Sequence, residues 1–477
     1  MKKTWIALIA VAVVAYPATS WYLGGQVKQQ FDQQYEQLTA LPYVKVVERT
    51  YDRGLFSATE TVTLELFGDM TRAMQQQAEA PEAAAMKPVL MQMQSHINHG
   101  PLADGLVAAR IDSEMRLPES TDAPSPFGDQ APLSAHTVVK LDGSGISDVT
   151  SPAIDAPLPA LAGAAPGHMA WEGFKAQVRF SPGMADYQIE GSAPRMEIRD
   201  GKGTEMVMTG LSITGDQQRL FEDEPLLYVG QQRLALEKMT ISGPAMEGKP
   251  LTLGTLVYDV DMPREGDFVD MSARMSAEVV QAGDADFGPV HYDISLKHLH
   301  ARTVATLYRT MLALYSDPAF TAGDGDPQAA LAPLAGPAMA LLAHDPEISL
   351  DRLSFKTADG EAHLEAKAKM PGLSEEELGN PMIMMTKLVA SGEAVIPEAL
   401  VRTLMIQQTR ANMARFDPEV ELSDEHVAML ETQLGQELEG LESMGYVTRE
   451  SGVLRSSFSF ENGRLLVNGQ PFTPPGR

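Results

Sequence analysis

The chain contains no cysteine. That absence excludes disulfides, thiol catalysis, iron–sulfur clusters and cysteine zinc sites, and by itself says little about compartment. Positive charge is also in short supply: 37 Lys and Arg stand against 64 Asp and Glu, for a net charge of −27. Phosphate binding needs clustered Lys and Arg, so no nucleic acid is expected as a partner. The acidic excess reads as a solvated surface, and the sharper alternative is a face that binds cationic partners or divalent ions.

Catalytic signatures are missing too. There is no HExxH and no GxSxG, and neither GKGTE (residues 201–205) nor GSGIS (residues 143–147) has the spacing of a phosphate loop or a nucleophile elbow. His96 and His99, and His298 and His300, form two close pairs, but no carboxylate at a ligand spacing adds specificity to either. Asp324 and Asp326 look faintly like a calcium loop, yet the position for the bidentate glutamate is Ala335, so a turn is expected. Carboxylates are too numerous to single out an acid–base pair. No catalytic, cofactor-binding or metal residue is therefore assigned, and a non-enzymatic protein without a cofactor is expected.

What is present begins at the N-terminus. Lys2 and Lys3 precede an uncharged run over residues 4–27 with the apolar centre WIALIAVAVVAY, and the next charge is Lys28. About 20 such residues suffice to cross a bilayer. The run reads as a signal anchor over residues 1–27, with the bulk of the chain outside the cytoplasm. Trp21 and Tyr22 stand where an interfacial aromatic belt would lie. The rival is a signal peptide cleaved near Ser20, since Ala18 and Ser20 are small. For a Gram-negative source, the first reading expects a single-pass inner-membrane protein with its C-terminal bulk in the periplasm, and the second a protein secreted to the periplasm.

Beyond the anchor, residues 28–42 read as a helical stalk stopped by Pro42. Residues 43–300 read as a mainly β domain with Pro- and Ala-rich inserts near 117–134 and 151–167, and residues 301–477 as a mixed region of helices and a terminal hairpin. Residues 70–93 read as a helix or an excursion. Val269, Met271, Ala273, Met275, Ala277 and Val279 alternate strictly, as do Val290, Tyr292, Ile294 and Leu296, which predicts an antiparallel pair with one buried face. Shifts of phase between Leu236 and Met239 and past Gly254 predict bulges and a curved sheet. Val304, Leu307, Met311 and Leu314 share a helical face, residues 331–342 predict an alanine-rich helix, and Val427, Leu430, Leu434, Leu438, Leu441 and Met444 mark a third. Asp359-Gly360 and Asn462-Gly463 are hairpin turn pairs. The fold class expected is α+β: an N-terminal transmembrane helix, then a large, mainly antiparallel curved β-sheet domain with helices packed against it. The 27 methionines read as core filler or as the lining of an adaptable apolar surface.

The anchor followed by YDRGLFSA, then NHGPL (residues 98–102), RLALEKMTISG (233–243), DPEISLDRLSFKTADGEA (345–362) and SFENGRLLVNGQPF resembles the bacterial YdgA/YihF family, a domain of unknown function. The likeness spans most of the chain in the same order and is thin between Asp112 and Glu224. It implies an inner-membrane-anchored periplasmic protein, homodimeric, with no established activity and no catalytic residues to carry over. It marks Tyr51, Arg53, Gly54, Phe56, His99, Gly100 and Pro101 as motif positions of unknown role.

In YDRGLFSATETVTLEL (residues 51–66) the residues themselves predict a corner. Gly54 permits the turn, Leu55 and Phe56 plug the end of a core, and Arg53 bonds nearby carbonyls or a carboxylate close to His99. The partners expected are a membrane through the N-terminal helix, a second copy of the chain, and a lipid or another envelope protein. The leading expectation is an envelope protein binding a lipid or extended apolar ligand on a curved sheet. A dimeric scaffold is the alternative, and a periplasmic hydrolase built around His99 is the third.

Overall fold

The computed structural model describes residues 2–77, 88–101, 106–117, 125–158, 165–246, 249–283, 285–314, 327–416 and 422–472. The chain forms two compact units, one of residues 1–247 with 301–337 and one of residues 248–300 with 338–477.

The first unit opens with helix α1 (Lys2–Thr39), followed by β1 (Val44–Arg53), β2 (Ser57–Leu66), α2 (Gly68–Gln77), β3 (Val89–His99), β4 (Ala109–Arg116), β5 (Leu133–Val139) and β6 (Gly145–Ser151). It continues with β7 (Ile154–Leu158), β8 (Gly167–Trp171), β9 (Phe174–Phe180), β10 (Asp186–Arg199), β11 (Glu205–Phe221), β12 (Glu224–Ser242) and, later in the chain, α3 (Ala301–Leu314). Strands β1 to β6 pair in sequence order, β9 joins β6 to β10, and β11 and β12 follow. The β7–β8 hairpin adds to β10 beside β9. Every pairing is antiparallel.

The second unit contains β13 (Leu251–Asp261), β14 (Arg264–Glu265), β15 (Phe268–Ala282), β16 (Ala285–Phe287) and β17 (Val290–His300). Helix α4 (Pro327–Leu342) leads back into it, to β18 (Glu347–Thr357), β19 (Gly360–Lys369), α5 (Pro381–Lys387), β20 (Val389–Pro397), α6 (Glu398–Phe416), α7 (Asp424–Ser443), β21 (Thr448–Glu450), β22 (Val453–Glu461), β23 (Arg464–Val467) and β24 (Gln470–Pro471). The ladder runs β13–β15–β17–β18–β19–β20–β22–β23–β24, again antiparallel throughout.

This corrects the expected α+β class. Long strands dominate, β11 with 17 residues and β12 with 19, in a mostly antiparallel sheet. The transmembrane part is corrected as well: among the described residues no helix is long and apolar enough to cross a membrane. The physical reason lies in what α1 packs on. From Tyr16 onward its Ser20, Val27 and Tyr35 are buried, with Val27 set against Ala58, Ile97, Ala109 and Ile111 of the β2–β4 surface. That face is matched to protein rather than to lipid. The side chains of the WIALIAVAVVAY run up to Ala15 lie outside the description.

Other expectations meet the structure in detail. Helices stand at α3, α4 and α7, and α7 begins with Ser423 accepting from the His426 N–H. The Asn462-Gly463 turn takes positive φ at both residues, 51° and 72°, as a two-residue hairpin of this kind requires. Residues 89–93 belong to β3, and the first part of the second Pro-rich insert forms β7, because Ile154, Ala156 and Leu158 alternate; residues 159–164 lie outside the described residues. The bulges fall elsewhere than expected. The β11–β12 ladder runs without a shift past Leu236 and Met239, and the β13–β15 ladder does so past Gly254. Register shifts occur instead at Val46/Glu48, Arg219/Phe221, Val269/Met271, Asp293/Ile294 and Leu350/Leu353.

Candidate functional site

The motif positions converge at one end of the β1–β3 sheet. Arg53 is the last residue of β1, and the chain turns through Gly54, Leu55 and Phe56 with the Gly54 N–H donating to the Ser57 carbonyl at 2.7 Å. The pairing Ser57↔Asn98 places β3 alongside, and the His99 N–H donates to the Phe56 carbonyl at 2.9 Å. Gly100, at φ 131°, turns the chain toward half-buried Pro101. That backbone conformation is one glycine adopts without cost.

Helix α1 closes the site. Its Ser20 hydroxyl donates to the His99 carbonyl at 2.7 Å, and the His99 Nδ1–H donates back to the Ser20 carbonyl at 3.0 Å. A carbonyl only accepts, so this contact fixes the proton on Nδ1 and leaves Nε2 as a bare lone pair. Nε2 is buried and has no partner among the described residues. Burial pushes the His99 pKa down, the Arg53 charge adds to the effect, and backbone contacts at Ser20 and Ser57 oppose it.

The close fit requires glycine. A Cβ at Gly24 would stand 2.5 Å from His99 Cε1, and one at Gly100 would stand 2.7 Å from the Ser20 hydroxyl. Arg53 donates to the Trp21 carbonyl and lies 3.9 Å over the Trp21 ring. Phe56 stacks on Tyr16 at 5.5 Å. Leu55 and Phe56 are exposed and so do not plug a core, as the corner reading expected; Phe56 meets the helix instead. Tyr51, on β1, packs against Phe31 of α1, and its hydroxyl is buried without a partner among the described residues.

Next to these residues runs a charged chain. Lys28 pairs with Asp32, Asp32 with Arg49, and Arg49 with Glu60, at 2.7, 2.8 and 2.7 Å, while the Tyr35 hydroxyl donates to Glu60. Glu60 is 1% exposed. Burial raises its pKa, and the bonds from Arg49 and Tyr35 only partly offset that.

The contact of Ser20 with His99, the fit of Gly24 and this ion network escaped the sequence reading, which took Ser20 only as a cleavage position. The signal for the helix face was there: Tyr16, Ser20, Gly24, Val27, Phe31 and Tyr35 recur at intervals of three and four.

The other candidates disperse. His96 and His99 have opposite parity on β3 and face opposite sides of the sheet. His298 stacks on Phe268 at 3.9 Å and His300 on His344 at 4.2 Å. The 201–205 segment is the β10–β11 turn, held by the Lys202 and Thr204 N–H groups on Asp200. Asp324 and Asp326 lie outside the described residues. Among the described residues no group of three or more His, Asp or Glu is placed to hold a metal ion.

A second feature lies in the other unit. The pairings Tyr258↔Met275, Met275↔Tyr292, Tyr292↔Leu353 and Leu353↔Leu364 line five strands into one row on one face of the sheet. The adjacent row is Val260, Ala273, Ile294, Leu350, Ala366, Gly392 and Phe458, and its far end enters a groove of about 430 Å³. The expected buried face is not covered here: Tyr258, Met275 and Tyr292 are 40%, 43% and 42% exposed. Among the described residues, helices α6 and α7 lie against the end of this face near β19, β20 and β22, where Leu434 and Leu438 meet Leu454.

Residues 1–475 match a single family model, described as a bacterial protein of unknown function (DUF945). No curated protein and no solved structure matches the chain. With both motifs joined at one corner and nearly the full length matched, the chain belongs to the bacterial DUF945 family of unknown function.

Proposed function

We propose that this chain is a non-enzymatic binding protein of the bacterial cell envelope, akin to the YdgA/YihF proteins, that holds an extended apolar ligand along the open face of its second unit. The observation that carries this reading is the exposed row Tyr258–Met275–Tyr292, three large apolar side chains side by side on adjacent strands. Apolar patches of this kind on a folded surface mark binding sites. The open face of a sheet offers an occupant no backbone hydrogen bonds, since those are used within the ladder. A hydrocarbon chain gives up no hydrogen bond there, whereas a peptide laid across the face would leave its amides unpaired. Strand spacing of about 4.8 Å makes the five-strand row about 19 Å long, the reach of a long acyl chain. The burial of Ser20 and His99 and their bonds to backbone carbonyls favour a structural role for the histidine over hydrolysis.

The test is titration with a fluorescent long-chain fatty acid. The unsubstituted protein is expected to bind it saturably. Tyr292→Lys, with its circular dichroism unchanged, is expected to weaken binding tenfold or more, from the loss of about 1.5–3 kcal/mol of side-chain burial. Equal binding by the two proteins would sink the proposal. If Tyr292→Lys instead abolished self-association measured by sedimentation, the dimeric scaffold would be the better reading.

A further inference from the structure

We propose that the Arg53–Phe56 corner and the His99–Gly100 turn form a proton-sensitive clasp, which holds helix α1 against the β1–β4 surface at neutral pH and releases it in acid. The geometry that carries this is the reciprocal pair of bonds between Ser20 and His99, with the imidazole seated on Gly24 and its Nε2 lone pair buried without a partner. A proton taken up at Nε2 would create an N–H with no acceptor at hydrogen-bond geometry among the described residues, and a positive charge cut off from water. Each of these costs free energy that only the undocked helix avoids.

The groups around His99 act in both directions, and burial decides the sign. From β1 comes the guanidinium of Arg53, a like charge once His99 is protonated. From α1 come the Ser20 hydroxyl and Tyr16, whose phenol is 3.6 Å from where a Gly100 Cβ would stand; neither is a carboxylate. From β2 the Ser57 backbone opposes the shift, as the Ser20 backbone does, and the buried carboxylate of Glu60 is occupied by Arg49 and Tyr35. No carboxylate acts on His99 to welcome the proton.

Because burial lowers the pKa of His99 in the docked state, docking is fully stabilised above its ordinary value of 6.5. Stability is lost as the pH falls below 6.5, and the loss levels off once the docked-state pKa is passed. Of the ion network further along α1, Asp32 does not share this window: burial works against its charged form, but bonds from Lys28 and Arg49 hold its pKa below the ordinary value, so its pairing persists into acid. Glu60, whose pKa burial raises, does titrate upward into it, and its part is separated from that of His99 by the His99→Asn comparison.

The absence of cysteine makes a clean test available. Val27→Cys in the full chain places one thiol beneath the helix, and Tyr22→Cys places one on its open side. The ratio of their maleimide labelling rates at each pH cancels the intrinsic chemistry of the thiol. It is expected to rise below pH 6.5, by up to about tenfold per pH unit for one proton. With His99→Asn added, which keeps an N–H donor but does not titrate, the ratio is expected to stay flat. A flat ratio without that substitution, or an unchanged rise with it, would overturn the proposal. Should His99→Asn fail to fold, hydrogen exchange of the unsubstituted chain decides. Protection over residues 16–27 that does not fall between pH 7.5 and 5.5, relative to the rest of the unit, would equally overturn it.

Discussion

Gly24 and Gly25 are neighbours in helix α1, yet a methyl group added at each meets a different wall. At Gly24 it would overlap three atoms of the His99 ring at 2.5 to 2.7 Å, whereas at Gly25 it would rest 3.5 Å from the Arg53 guanidinium. Alanine is the better helix former by about 1 kcal/mol. Gly25→Ala is therefore expected to be neutral or to stabilise by up to about that amount. Gly24→Ala is expected to destabilise by about 1–3 kcal/mol, since the imidazole sits in a buried, close-packed place and must shift. Thermal unfolding of the two variants side by side checks the contrast. The sequence displayed both glycines without distinguishing them, because the difference is made by a histidine some 75 residues away along the chain.

At the level of elements, α1 is joined to the sheet by charge as well as by shape. Arg49 of β1 bridges Asp32 of α1 and Glu60 of β2, and Glu60 is almost completely buried. Removing the cation strands that carboxylate: Arg49→Met is expected to cost about 3–5 kcal/mol at pH 7. The pKa of Glu60 is raised in the folded protein, so its charged form is a burden that grows as the pH rises above its ordinary value of 4.5. The cost of Arg49→Met should accordingly shrink toward pH 4.5. Glu60→Gln, which carries no charge to bury, should cost much less than Arg49→Met at pH 7. Urea unfolding at the two pH values measures both. A penalty for Arg49→Met that did not change with pH would contradict the role given to Glu60. Helix α7 is a simpler case, since the spacing of Leu434 and Leu438 announced the stripe that meets Leu454.

For the whole molecule, a net charge of −27 means that like charges repel across a folded surface. Added salt screens that repulsion over a Debye length of about 10 Å at 0.1 M. The thermal midpoint at pH 7 is expected to rise by a few degrees, about 2–4 °C for each kcal/mol gained, between low salt and 0.15 M sodium chloride. A midpoint that fell would mean that surface ion pairs such as Arg302–Asp223 outweigh the acidic excess. The same scale holds the open apolar face, where the Tyr292→Lys titration belongs.

The sequence by itself determined the β periodicity, the hairpin turn at Asn462-Gly463, helices α3 and α7, and the corner at Gly54; it also announced the β18–β19 hairpin, whose turn falls one residue earlier than expected, at Ala358-Asp359, with Gly360 already paired to Thr357. Each of these follows from local backbone preference or from side chains a few residues apart. Tertiary structure alone decided three further things. Alternation shows that Met275 and Tyr292 share a face, but whether that face is covered depends on helices encoded elsewhere, and α6 and α7 stop short of it. The N-terminal run was expected to span a bilayer, and among the described residues no helix is long and apolar enough to do so. The burial of Ser20, Val27 and Tyr35 on β2–β4 came only with the packing of the helix. Finally, the YDRGLFSA and NHGPL motifs are separate words in the chain. The β2–β3 pairing brings them together, because register, which hydrogen bonds between distant strands set, fixes which residues become neighbours.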